Sequence, residues 1–248
     1  GGKYVHNTLR STANMTERLS SADGTEDGTF EIDLNSESAN FQISASGKTF
    51  GNLVLSGTYG NKNYAITGPS PVEIKGDFIV NSGVSINEVW SGTSKFESVF
   101  ATEGDFIFNG DNWTINPDNE SNNFYFGGHS PQIIDIQSTA FNSGFPKDII
   151  VDNTTSLKME SNLVISESIK LSSSNLILNT NELKVLGDII FDGGRLTGDN
   201  SASLLFEGSG NESLDFTPGT AQLGTLSLNR SGATITLLQD LTIASELI

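Results

Sequence analysis

The chain has 248 residues, of which 13 are Lys or Arg and 30 are Asp or Glu, giving a formal net charge of −17. It has no cysteine and two histidines, which excludes a disulfide framework and argues against a His/Cys zinc site. The acidic charge argues against binding to nucleic acid or to an anionic membrane surface, and no apolar run is long enough to span a bilayer.

Residues 1–28 are predicted to form an N-terminal leader or cap. Leu9, Met15 and Leu19 lie at loosely helical spacing, which fits either a short capping helix or a disordered leader. Residues 20–28 contain no apolar residue except one alanine, so they are predicted to be a linker or a loop.

Residues 29–248 show a hydrophobic pattern that is typical of short β-strands. Apolar residues recur at every second position in triplets such as 78–80, 106–108 and 163–165, so the outer two side chains of each triplet share one face. Gly, Asn, Asp and Ser, which favour turns, separate the triplets. Strands this short and this closely spaced leave no room for long hairpins.

One pattern recurs along the chain: apolar-x-apolar, two further residues, then Asn or Asp, then apolar-x-apolar again. Its copies are residues 72–80, 157–165, 183–191 and 235–243. Each copy predicts a strand, a corner and a second strand, a unit that cannot bury its apolar face alone. Stacked copies bury one continuous core, which predicts a parallel β-helix with about 20–26 residues per coil. An array of β-sandwich modules is the alternative.

The stacking register over residues 149–206 fits a coil of about 20 residues. The predicted stacks are Ile149, Ile169 and Ile189 on one wall, Leu163, Leu183 and Leu204 on a second, and Leu157, Leu176 and Leu196 on the third. A coil of about 26 residues, which would align Leu157 with Leu183, is the alternative. At about 20 residues per coil, the strand-like part of the chain predicts roughly 11 coils.

The Asn or Asp at each corner suggests two structural roles. These residue types tolerate the left-handed backbone conformation that a sharp corner needs. Their side chains also form hydrogen bonds along an in-register stack. The chain stops at Ile248 directly after strand residues, so we expect the β-helix to continue in a longer polypeptide.

Residues 222–243 and 49–67 resemble the repeats of large secreted surface proteins of Bacteroidota, and the resemblance covers about residues 40–248. Those proteins are adhesin-like, are often exported by the type IX system and are expected to form right-handed parallel β-helices. The resemblance implies an extracellular or outer-membrane location. It implies that the partners are the export machinery and other parts of a longer chain. The C-terminal sorting domain of the family is not in this sequence.

Two residues are candidates for binding a ligand, and the sequence predicts no catalytic residue. His129 follows Gly127 and Gly128 in an arrangement superficially similar to a polygalacturonase element, but the flanking motifs of that family are missing. Trp113 is predicted to be the most exposed residue of the aromatic stretch 90–126, where its ring would offer a stacking platform to a sugar. For both residues, a position without any ligand is the alternative.

The loop that contains Asp23, Glu26 and Asp27 is a candidate calcium site, because calcium prefers oxygen-rich loops. Its spacing matches neither the EF-hand nor the Gly-rich nonapeptide repeat, so an ordinary solvated loop is the favoured alternative. The sequence therefore predicts no metal site and no cofactor beyond weak, diffuse calcium binding through its many acidic side chains.

The function predicted from these observations is that of a non-enzymatic, adhesin-like stalk in a large secreted or cell-surface protein. The alternative is a carbohydrate-binding or carbohydrate-active β-helix protein, whose partners would be surface glycans. A third hypothesis is a series of β-sandwich modules that act as spacers.

Overall fold

The computed structural model shows an all-β fold. It describes residues 1–10, 28–37, 39–43, 45, 47–66, 71–87, 100–114, 123–137, 141, 148–153 and 155–248. Within these residues, every pair of strands with a defined register is parallel. The predicted β-solenoid is therefore confirmed, and the β-sandwich alternative, which needs antiparallel sheets, is wrong.

The chain forms two compact units. Unit 1 comprises residues 1–123 and 137–140, and unit 2 comprises residues 124–136 and 141–248. Both units are parallel β-solenoids, and together they have about 8 turns. The expectation of roughly 11 coils is wrong because many coils are longer than 20 residues. In unit 1, for example, Phe78 pairs with Phe106 one coil later.

Unit 1 winds its strands into three parallel sheets. The first sheet contains β1 (Lys3–His6), β2 (Thr29–Ile32), β5 (Asn52–Leu55), β8 (Phe78–Val80) and β11 (Phe106–Phe108). The second sheet contains β4 (Lys48–Phe50), β7 (Val72–Ile74) and β10 (Phe100–Thr102). The third sheet contains β3 (Ala39–Ile43), β6 (Lys62–Ile66), β9 (Val84–Asn87) and β12 (Asn112–Thr114). From β4 onward the chain visits the three sheets in turn, so neighbours within a sheet come from successive coils.

The predicted leader lies only partly within the described residues. Its strand β1 pairs in parallel with β2, so residues 3–6 belong to the first sheet. Residues 11–27, which include most of the predicted capping helix, lie outside the described residues. Within the residues that the structure describes, no helix has the length and apolar character needed to cross a membrane.

Unit 2 repeats the same construction. One sheet contains β14 (Gln132–Ile136), β16 (Ser156–Met159), β19 (Asn175–Ile177) and β22 (Arg195–Thr197). A second contains β13 (Phe124–Phe126), β15 (Ile149–Val151), β18 (Ile169–Ser172) and β21 (Ile189–Asp192). A third contains β17 (Leu163–Ile165), β20 (Glu182–Val185), β23 (Ser203–Glu207), β25 (Gln222–Asn229) and β27 (Thr242–Leu247). The strands β24 (Glu212–Leu214) and β26 (Ile235–Leu237) form a two-stranded sheet.

The register of unit 2 confirms the three predicted stacks. The structure pairs Ile149 with Ile169 and Ile189, Leu163 with Leu183 and Leu204, and Leu157 with Leu176 and Leu196. The alternative alignment of Leu157 with Leu183 is wrong, because these residues belong to different sheets. A shift of one residue would have turned the apolar side chains outward, so burial of these rows fixes the register.

The interior of each unit is built from stacked apolar rows. In unit 1, Leu53, Phe78 and Phe106 are fully buried and lie in register in the first sheet. In unit 2, Ile149 and Ile169 are likewise fully buried in consecutive coils. Each row removes its apolar surface from water only when the neighbouring coil is present, so the coils stabilise one another.

Corner side chains tie each coil to the next one. In unit 1, Oδ1 of Asn52 accepts a hydrogen bond from the N–H of Asp77 at 2.8 Å. Oδ1 of Asp77 in turn accepts from the N–H of Asp105 at 3.0 Å. Unit 2 repeats this contact, from Ser168 to Asp148 (2.9 Å), from Glu182 to Asn162 (2.8 Å) and from Thr234 to Asn211 (2.8 Å). The predicted side-chain hydrogen bonding along the stack is confirmed.

The predicted left-handed backbone at these corners is wrong. Among the described non-glycine residues, a positive φ occurs at Ser173 (60°) and Asn179 (55°), and neither is one of these corner residues. The remaining described positions with positive φ are glycines, such as Gly193. Glycine therefore makes the sharp turns, while the corner Asn and Asp side chains accept hydrogen bonds from the next coil.

The corner contact gives a testable prediction. Asp77→Ala removes the acceptor of the Asp105 N–H, and we expect it to lower the free energy of unfolding by about 1–2 kcal/mol. Asp77→Asn is the matched control, because it keeps an oxygen acceptor and should lose less than about half as much. Urea unfolding followed by tryptophan fluorescence measures both. Equal losses in the two variants would show that this hydrogen bond does not stabilise the stack.

Candidate functional site

The structure places Trp113 in the core of unit 1. Its side chain is 5% exposed and its ring centroid lies 6.0 Å from that of Phe78 and 5.7 Å from that of Phe108. The expectation that Trp113 is exposed is therefore wrong. Trp113 stacks in register on the buried Ile86. Because side chains alternate along a strand, its neighbours Asn112 and Thr114 point outward. A ring in this position offers no platform to a sugar.

The remaining candidates are His129 and the three acidic residues of the predicted calcium loop. His129 belongs to unit 2, where it is exposed in the loop between β13 and β14. Asp23, Glu26 and Asp27 lie outside the described residues, so the calcium loop stays a prediction. Within the described part of the chain, no group of three or more His, Asp or Glu side chains is arranged to hold a metal ion.

Most cationic side chains on the outer faces of the strands pair with carboxylates. These pairs are Lys3–Glu31 (2.5 Å), Lys75–Glu103 (2.5 Å), Lys158–Glu160 (2.6 Å), Lys170–Asp192 (2.7 Å), Lys184–Glu207 (2.9 Å) and Arg195–Asp215 (3.2 Å). Because these groups are exposed or half-exposed, each pair contributes little to stability. Because these cations are paired with carboxylates, they do not form the cluster of positive charge that binding to a nucleic-acid backbone requires.

A cluster of charged side chains in unit 2 consists of the buried Arg230 and Glu212 and the exposed Asp188. The Arg230 side chain is 1% exposed, and its Nη1 lies 3.4 Å from Oδ1 of Asp188 and 3.8 Å from Oε1 of Glu212. The guanidinium also donates to two backbone carbonyls and lies 5.2 Å from the centre of the Phe206 ring. These contacts occupy the cation from several sides, so the cluster holds coils together rather than forming an open site.

Burial raises the pKa of Glu212 above its ordinary value, and the neighbouring Asp188 carboxylate raises it further. The Ile189 N–H, which donates to Oε1 of Glu212 at 3.1 Å, and the Arg230 charge act in the opposite direction. Desolvation is the largest of these effects, so the pKa of Glu212 is higher in the folded chain than in the unfolded chain.

The third sheet of unit 1 presents an uncharged polar surface to solvent. Its inward row consists of Phe41, Tyr64, Ile86 and Trp113, all of them buried. The alternate positions form two further rows, Asn40–Asn63–Ser85–Asn112 and Gln42–Ala65–Asn87–Thr114, whose members are exposed or partly exposed except for the buried Ala65. We call the polar members of these rows the amide face: Asn40, Gln42, Asn63, Ser85, Asn87, Asn112 and Thr114.

An open groove of about 360 Å³ runs over the amide face. It is lined by Asn40, Asn61, Lys62, Asn63, Ser85, Ile86, Asn87, Asn112 and Thr114. The one charged residue in this lining, Lys62, is 2% exposed, and its Nζ donates to the carbonyl of Gly60 at 2.6 Å. The described lining of the groove therefore offers amide and hydroxyl groups without a free charge.

The amide face was not predicted from the sequence, although the sequence contains a signal for it. Asn is disfavoured in strands, yet Asn40, Asn63 and Asn112 each occupy a strand position directly before an aromatic residue. The outward positions of the other two sheets of unit 1 include charged residues such as Glu31 and Glu73. Uncharged amides in a strongly acidic chain are the feature that separates this face from the rest.

Comparisons with protein families, with curated proteins and with solved structures find no match to this chain.

The raised pKa of Glu212 gives a prediction about pH. Well below the ordinary value of 4.5, Glu212 is protonated in both the folded and the unfolded chain. As the pH rises above 4.5 the unfolded chain loses this proton first, so the stability contributed by the protonated group declines until the pH passes the raised pKa. The free energy of unfolding of the wild type, relative to Glu212→Gln, should fall over this interval and then stay constant.

Urea unfolding of both proteins at a series of pH values measures this difference. Subtracting the two curves removes the titration of the other carboxylates, which is common to both proteins. A difference that does not change with pH, or that grows as the pH rises, would contradict the assignment.

Proposed function

We propose that the chain is a non-enzymatic, adhesin-like stalk of a large secreted or cell-surface protein. In this role it spaces and displays other parts of a longer polypeptide, and its partners during transport are the components of an export machinery. The observation that carries the proposal is the in-register coil-to-coil ladder within each unit.

The ladder suits a load-bearing role because its bonds act together. Each coil is joined to the next by parallel backbone pairing in its sheets, and corner contacts such as Asn52 to Asp77 add a further bond. Separating two coils would expose their shared apolar rows and break these hydrogen bonds at the same time. Apolar side chains of successive coils stack in register in the interior, so each added coil buries further apolar surface.

The composition and the surface support placement outside the cell. A net charge of −17 favours solubility and discourages self-association. The cationic side chains are spread over the strand faces, where they form ion pairs with carboxylates. The resemblance of residues 222–243 to the repeats of Bacteroidota surface proteins supports the same location.

A carbohydrate-active enzyme with the same fold is the competing function. Hydrolysis of a glycosidic bond ordinarily needs two carboxylates on either side of the bond. The described residues that line the groove over the amide face include no carboxylate, and this favours the non-enzymatic proposal.

Two measurements test the proposed function. Incubation of the purified chain with neutral and acidic polysaccharides should release no more reducing ends or unsaturated products than the heat-denatured protein does. Antibodies against the chain should label intact cells that express the full-length protein, and external protease should remove this label. Sustained turnover of any polysaccharide would overturn the non-enzymatic role, and a label that appears only after lysis would overturn surface display.

A further inference from the structure

We propose that the amide face of unit 1 binds a neutral polysaccharide chain, laid across the four strands of the third sheet. This inference rests on the proposed surface role, to which it adds a ligand class and a binding site. The groove over the face, with its volume of about 360 Å³, is where the sugar residues lie.

The first argument is the absence of free charge in the groove. Its lining consists of amide, hydroxyl and apolar groups, together with Lys62, whose ammonium group is held by the Gly60 carbonyl. Among the described residues, the lining offers no carboxylate to a cationic ligand, and an anionic polymer would be repelled by the net charge of −17. The groove is therefore matched to a ligand that carries no charge.

The second argument is the hydrogen-bonding character of the face. An asparagine side chain both donates and accepts, and so does a sugar hydroxyl, so either group can satisfy the other in two orientations. The side chains of Asn40, Asn63 and Ser85 form no hydrogen bond with another described residue, which leaves them available. Asn112 donates through Nδ2 to Oγ1 of Thr114 at 2.9 Å, and this bond orients the end of the row.

The third argument is repetition. Asn40, Asn63, Ser85 and Asn112 occupy equivalent positions on four neighbouring strands, so their polar groups recur at intervals of about 4.8 Å and span about 14 Å in total. A polysaccharide presents its hydroxyl groups at regular intervals too. A chain of several sugars should therefore bind more tightly than a single sugar, because one molecule engages several rows.

An apolar protein partner fits the face poorly. Covering the free amides of Asn40 and Asn63 with apolar side chains would leave buried donors and acceptors without partners, which costs free energy. The inward position of Trp113 also leaves the groove lining without an aromatic ring. Binding should thus depend on hydrogen bonds and be weak for each sugar unit.

Calorimetry with the whole chain tests the proposal. The probes are neutral oligosaccharides of glucose, mannose and xylose, their monosaccharides, and oligogalacturonate as the acidic comparison. We expect at least one neutral oligosaccharide to bind, its monosaccharide to bind at least about tenfold more weakly, and oligogalacturonate not to bind. Addition of a calcium chelator should leave the affinity unchanged, because the lining has no carboxylate.

The variant Asn63→Ala/Ser85→Ala/Asn112→Ala should weaken binding by at least about tenfold, because three hydrogen-bonding groups are lost. The matched control is Asn200→Ala/Asn229→Ala, which truncates two exposed asparagines of unit 2 and should bind as the wild type does. Circular dichroism and the urea midpoint check that the variants fold. If the triple variant does not fold, Asn112→Ala alone, on an exposed position, should weaken binding about threefold.

Three results would overturn this inference: no binding of any neutral oligosaccharide, unchanged affinity in the folded variants of the amide face, or binding that is lost on removal of calcium. None of them would affect the stalk function, which is tested separately by turnover and by surface labelling.

Discussion

The fold depends on parallel backbone pairing between successive coils. A single coil of this chain has strands of only a few residues and an apolar face that it cannot cover alone. The neighbouring coil covers that face and pairs with its backbone, and corner side chains such as Asn52 and Asp77 bind the N–H of the residue stacked on them. Coil length can vary, since an insertion between strands leaves the pairing within each sheet intact. The number of residues between the paired Phe78 and Phe106 is larger than that between the paired Ile149 and Ile169, so the coil length differs between the two places.

The sequence allowed the sheet type, the coil length of unit 2 and three of its apolar stacks to be predicted, because alternation and corner residues are local signals. Trp113 could not be assigned, since its orientation depends on its register with Ile86 in the coil before it. Asn in strand positions is a local signal, but the amide face as a continuous surface was missed for the same reason. Asn40, Asn63 and Asn112 are far apart in sequence, and unequal coil lengths hide their alignment until the strands are paired.

The division between inward and outward positions explains how one scaffold can carry different surfaces. Inward positions must stay apolar for the coils to stack, whereas outward positions are free to vary with little effect on the fold. Unit 2 uses them for ion pairs such as Lys184 with Glu207. In the third sheet of unit 1 the outward positions hold amide and hydroxyl side chains. The asparagines among them are disfavoured in strands, and these outward side chains add nothing to the packing of the core. Such local exceptions are where function is expected on a regular scaffold.

The most direct test of the account is a disulfide cross-link between stacked strands, since the chain has no cysteine of its own. Val164 and Lys184 face each other in the parallel pair β17–β20, at the strand spacing of about 4.8 Å that a disulfide can bridge. The variant Val164→Cys/Lys184→Cys should oxidise to an intramolecular disulfide in the folded protein. Lys158→Cys/Lys184→Cys, whose residues lie in different sheets, should stay reduced. Cross-linking of the second pair instead of the first would contradict the parallel, in-register stack on which the account rests.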